Sequence, residues 1–184
     1  NQPVTTLILE KVPATLLLVI SAQIVSIFLG VMFGVIAARK PNGITSHFVT
    51  MLSLVGYAAP VFWTGIMLII LFASIVPIFP IGNMVDVSIE REGFAYIMDV
   101  LHHLVLPTIA LSSIFLALYS RLARASMLDV LGSDYVRTAQ AKGLSEFQVV
   151  FKHALRNALL PVVTTAGLAF SGIVSGAVLV ESVF

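Results

Sequence analysis

The sequence predicts an all-α integral membrane protein, a polytopic helical bundle, and three observations carry that prediction. Of 184 residues, 59% are hydrophobic and only 10% charged, with a mean hydropathy of +1.05, whereas soluble domains carry about 25% charged residues. The apolar residues gather into four stretches of the length a bilayer core demands, about 20 residues each. The charges gather between those stretches, most densely over residues 133–158. There is no Cys, so disulfides and thiolate metal sites are excluded.

Asn1 to Val12 reads as a polar–apolar lead-in, with Glu10 and Lys11 near a membrane edge. The first span is expected from Pro13 to Ala38, with Pro13 in the first turn, where its missing N–H is not needed. It is too long, and too poor in preceding basic residues, for a signal peptide. Gly30 and Gly34 form a GxxxG that admits a close neighbour. Gln23, the strongly polar side chain of this span, fits either a bond across helices or a pathway lining. Arg39, Lys40 and Pro41 end the span.

The second span is expected from Phe48 to Val76 as one helix kinked at Pro60, with Gly56 and Gly65 on either side. The kink could also serve as an opening hinge. Pro77 to His103 reads as an outer loop: Pro77, Pro80 and Gly82 break helix, and Asp86, Glu90, Arg91, Glu92 and Asp99 follow. Phe94 to Leu101 is expected as a short interfacial helix. His102 and His103 lack partners at ligand spacing and read as interfacial. The third span covers residues 104–122, with Pro107 in its first turn and its apolar core reaching Leu118. Arg121 and Arg124 mark an interface, and Met127, Leu128 and Leu131 extend the helix to Gly132. The fourth span runs from Leu159 to Val180, with a second GxxxG at Gly172 and Gly176.

Residues 133–158 cannot span. Arg137, Lys142, Lys152 and Arg156 would each cost roughly 2.5–3.5 kcal/mol at a bilayer centre. Ser133 is a candidate N-cap for a helix from Asp134 to Lys142. Gly143 stands where a helix end favours a left-handed residue, and Ser145 with Gln148 has the spacing of a capping box. Phe147, Val150, Phe151, Ala154, Leu155 and Ala158 then form an apolar stripe, with Gln148, Lys152, Arg156 and Asn157 opposite. Val149 is the exception. The bend resembles DNA-binding helix-turn-helix units, but apolar spans lie tight on both sides, so no nucleic-acid partner is expected. A plain solvated loop is the simplest alternative.

Eight of the ten Lys and Arg lie in two alternate loops: Arg39, Lys40, Arg121, Arg124, Arg137, Lys142, Lys152 and Arg156. The intervening loop sets Arg91 against four acids. The positive-inside rule places the basic loops in the cytoplasm and both chain ends outside. No GxxxxGK[ST] occurs, so the chain has no P-loop for ATP. No ionisable residue falls at the centre of an expected span, which argues against a proton-driven carrier. Ser112, Ser113, Ser171 and Ser175 have no His at their depth, which argues against an intramembrane protease. A passive channel or a pore driven by another chain remains.

The stretch DYVRTAQAKGLSEFQVVFKHALRNALLPVVT resembles the cytoplasmic signature loop of permease subunits in binding-protein-dependent ABC importers, most closely the dipeptide, oligopeptide and nickel group. LHHLVLPTIALSS around Pro107 and the final LVESVF extend the likeness. Arg137, Thr138 and Ala139 replace the general family's Glu-Ala-Ala, and Pro161 comes late, both as expected of the peptide group. The resemblance implies an ABC importer type I permease-like bundle whose loop docks on an ATP-hydrolysing subunit. It assigns the coupling surface to Tyr135, Val136, Arg137, Thr138, Ala139, Ala141, Lys142, Gly143 and Leu144. Phe147, Phe151 and Leu155 would hold the second helix against the membrane domain.

It further implies no catalytic or metal site on this chain, with ATP and Mg on the partners. Those partners would be a second permease, two ATP-binding subunits and an extracytoplasmic solute-binding protein, in a prokaryotic inner membrane. Peptides are the favoured cargo; nickel complexes, glutathione and sugars stay open. Gln23, Thr50, Thr64 and Ser175 are polar candidates for the path. Starting at Asn1 and stopping at Phe184, the chain is expected to be a piece of a protein with one more span on each side.

Overall fold

The computed structural model describes residues 4–86 and 91–184, and its regular structure is all helix. Helix α1 runs unbroken from Val4 to Arg39. The lead-in is therefore helical, and Pro13 sits inside the helix rather than in its first turn. Membrane helices tolerate such a proline because local adjustments re-satisfy the freed backbone groups. Asn1 and the side chain of Glu10 lie outside the described residues.

The expected second span is two helices, α2 over Ile44–Ala58 and α3 over Val61–Ile69, the latter continued by a π-helical turn at Ile70–Ile75. Pro60 explains the break. It has no N–H to donate, and its ring drives Ala59 out of the helical region. Pro60 itself is extended (φ −61, ψ 137) and takes the N-cap position of α3, its carbonyl accepting from the Thr64 N–H at 3.0 Å. The pair makes one span only if the two pieces are taken together.

Helix α4 runs from Gly93 to Leu131, 39 residues. Phe94–Leu101 is thus the first part of this helix and not a separate interfacial one. The helix that contains the expected third span therefore starts before Leu104, and Pro107 is internal to it. The chain leaves α4 at Gly132, whose N–H still reaches the Leu128 carbonyl at 3.2 Å. Helices α5 (Asp134–Ala141) and α6 (Leu155–Ala158), with a π-helical turn at Gln148–Ala154 between them, form the charged segment. Helix α7 spans Leu160–Glu181, with Pro161 in its first turn. Lys11–Arg39, Gly93–Leu131 and Leu160–Glu181 are each long and apolar enough to cross a membrane.

Contacts divide the chain into two compact units. One comprises Val25–Ala58 and Ile114–Phe170. Here a Cβ on Gly30 would lie 2.8 Å from the Tyr119 Cβ, and one on Gly34 2.6 Å from the Ala123 Cβ. The first GxxxG therefore brings α1 and α4 within backbone distance. Arg124 donates to the Ser46 hydroxyl at 3.2 Å and Arg121 lies 4.9 Å from the Tyr57 ring centre, so two arginines of α4 hold α2. The other unit comprises Asn1–Ile24, Ala59–Ser113 and Ser171–Phe184. The hydroxyls of Ser21 and Thr108 meet at 3.1 Å between α1 and α4. In the second GxxxG, a Cβ on Gly176 would lie 3.0 Å from Leu111 Cδ1, while one on Gly172 would meet nothing within 4 Å.

Candidate functional site

The charged segment stands on an apolar base. Val136, Ala139, Val149, Val150, Ala154 and Ala158 are buried in one cluster with Val35 and Ala38 of α1 and Met127 of α4. Small side chains let these helices approach closely, and the charged residues are left outside: Arg137, Lys142, Lys152 and Arg156 are all exposed.

Local sequence sets each arm. Ser133 occupies the N-cap position of α5 with extended backbone (φ −76, ψ 154), yet its hydroxyl donates to the Val130 carbonyl at 2.5 Å and caps nothing. Asp134 supplies the acid that a helix N-terminus favours. At the bend Gly143 has φ +78°, and its N–H reaches the Gln140 carbonyl at 2.9 Å. A Cβ there would meet no atom within 4 Å, so glycine is needed for its backbone angle alone. The capping box forms: the Gln148 side chain accepts from the Ser145 N–H at 3.2 Å, and the Ser145 hydroxyl accepts from the Gln148 N–H at 3.4 Å.

The second arm corrects the expected stripe. Phe147 and Phe151 are 69% and 44% exposed, with ring centres 4.6 Å apart, while Val149 is buried. The cause is the π turn. The Leu155 N–H bonds the Val150 carbonyl five residues back, so residues five apart share a face and Val149 falls in line with Ala154. The phenylalanines therefore do not hold this arm in place. Val149, Val150, Ala154 and Ala158 do so, with Leu155 half-buried beside them. Both rings are thus only partly covered by this chain.

Of the nine residues assigned to the coupling surface, Tyr135, Arg137, Thr138, Ala141, Lys142 and Gly143 are exposed. Val136 and Ala139 point inward, and Leu144 packs against the cluster. These three lie beneath the exposed six. Two polar ties fix the arms. The Asn157 amide donates to the Tyr135 hydroxyl at 2.9 Å, joining α5 to α6. Arg39, at the end of α1, donates through Nε and Nη2 to Glu146 Oε1 at 3.0 and 2.7 Å. Neither tie was read from the sequence, because both depend on residues more than twenty positions apart.

The other unit holds a different cluster. Asp99, 4% exposed, accepts from Arg91 Nη1 at 2.6 Å and from the Asp86 N–H at 2.8 Å. The ring of His103 bonds the Asp99 carbonyl at 2.9 Å, and its side chain is only 7% exposed. His102 bonds the Ile78 carbonyl at 2.9 Å and tilts against Phe79. Glu90 lies outside the described residues. Among the polar path candidates, Thr50, Thr64 and Ser175 each bond the carbonyl four residues back, and Gln23 is half-buried.

Residues 30–184 match the family model described as "Binding-protein-dependent transport system inner membrane component". The oligopeptide transport system permease protein AppB of Bacillus subtilis (strain 168) is 41% identical over 182 residues, covering 99% of this chain and 56% of that protein. The di/tripeptide transport system permease protein DppB of Pseudomonas aeruginosa is 44% identical over 186 residues, 94% of this chain and 55% of that protein. The dipeptide transport system permease protein DppB of Escherichia coli (strain K12) is 40% identical over 199 residues, 99% and 59% respectively. The chain thus spans little more than half the length of these relatives.

Proposed function

Given that the chain belongs to the family of binding-protein-dependent transport system inner membrane components, we propose that it is the permease part of an ATP-driven importer of small peptides. The single observation that carries the reading is the surface over residues 133–158. It is a rigidly based, outward-facing elbow with exposed cations, two exposed phenyl rings and a left-handed glycine at its bend. The chain brings no P-loop of its own, so the energy enters through that elbow from ATPase subunits, which hold the ATP and Mg.

In this reading the elbow lies in the cytoplasm and docks on an ATP-binding subunit. A second permease completes the path, and a solute-binding protein delivers cargo from outside. Closure of the two ATPases pushes the elbow. The push passes through the Val136–Ala139 and Val149–Ala158 packing into the adjoining ends of α1 and α4. Rigid-body movement of packed helices then alternates access. The peptide cargo rests on the names of the similar permeases.

The test is Gly143→Asp in the full-length protein assembled with its partners. A side chain at φ +78° strains the bend by about 1–2 kcal/mol, and its carboxylate adds charge where the partner must seat. Substrate-stimulated ATP hydrolysis should be abolished while membrane insertion is kept. Normal coupled hydrolysis in that variant would remove the docking role.

A further inference from the structure

Residues 147–158 carry two mutually exclusive apolar faces. In a regular α-helix, at about 100° per residue, Phe147, Val150, Phe151 and Ala158 all fall within about 60° of Ala154, while Val149 lies about 140° away. The π turn reverses this: Val149 is 2% exposed, and the two phenyl rings face out. Both arrangements share the Ser145–Gln148 cap at one end and the Ala154–Ala158 phase at the other. They differ in which side chains enter the cluster.

We propose that the π turn at Gln148–Ala154 is a register selector, and that Val149 is the residue that sets it. The cluster explains the preference seen in the structure. The cluster is built largely from small side chains, Val35, Ala38, Val136 and Ala139 among them, so two phenyl rings in place of one isopropyl group would overpack it. Holding Val149 inside therefore keeps Phe147 and Phe151 outside. Expelling Val149 restores the α register and turns the rings inward. Such π turns occur mostly as single-turn insertions at functional positions, and this one controls which face the elbow presents. The consequence for an ATPase rests on the docking reading above; the selector itself does not.

The test labels single cysteines with a water-soluble maleimide in the full-length permease without ATPase subunits; residues 1–184 contribute no cysteine. Phe147→Cys should label at least about tenfold faster than Val149→Cys. Adding Val149→Lys to Phe147→Cys should slow its labelling by about tenfold, because the ammonium leaves the cluster and the α register buries position 147. Val149→Ser is the milder variant should the lysine prevent folding, and it should act in the same direction. Equal labelling at 147 and 149 in the parent would overturn the proposal. So would undiminished labelling of Phe147→Cys beside either substitution in folded protein. Adding back the ATPases separates the two readings: slowed labelling with unchanged substrate-stimulated hydrolysis would keep the selector and reject docking.

Discussion

The elbow at residues 133–158 and the cluster around Asp99 both fix a non-spanning segment onto long helices, by opposite chemistry. The elbow buries Val and Ala and sends every charge outward. The Asp99 cluster buries a carboxylate and satisfies it with Arg91 and a backbone N–H. An apolar base resists displacement without fixing partners one to one, and leaves charges free for a second body. A buried ion pair holds one geometry and leaves little to offer. The difference suits the docking proposed for the elbow in the one case and a fixed clasp in the other.

The comparison can be broken by exchanging the chemistries. Val136→Asp puts an unpaired carboxylate into the elbow's base and should cost about 3–5 kcal/mol. Thermal unfolding of the purified permease, or trypsin sensitivity of the 133–158 region, would register it. An unchanged profile would mean that the base is not packed as described. Asp99→Ala leaves Arg91 without its buried partner. With Arg91 35% exposed, the loss should be about 2 kcal/mol, below that of a fully buried pair. It should appear as faster proteolysis near residues 77–92, with the elbow unaffected. The smallest effect belongs to Arg39→Ala. Its pair with Glu146 is 47% and 69% exposed, so about 0.5 kcal/mol is expected, fading as salt is raised. A large, salt-independent loss would mean that the tie is a structural strut.

The same contrast explains what could be read from the sequence. Gly143, the Ser145–Gln148 box and the Gly30–Gly34 contact were legible because each is a local pattern with one physical meaning. The extent of helix α7 was legible to within one residue, Leu160–Glu181 against the expected Leu159–Val180. The Asp99 cluster was not, because Asp86 and Arg91 reach Asp99 of α4 only through tertiary folding. The two prolines misled in opposite directions. Pro60 breaks the chain where a kink was expected, and Pro107 sits inside a helix expected to start beside it. Proline marks strain, while the surrounding packing decides whether the helix continues. The phenylalanine stripe failed more instructively. Its 3.6-residue periodicity is present in the sequence, and one wider turn is enough to place it on the opposite face.

The central claim is that the elbow's outward face is where another subunit pushes. The most direct measurement places a photo-crosslinking residue at position 147 or at position 149 of the full-length protein in native membranes. The account predicts that position 147 joins a nucleotide-hydrolysing subunit and position 149 joins only its own chain. Crosslinks from 149 to that subunit, or none from 147, would contradict it.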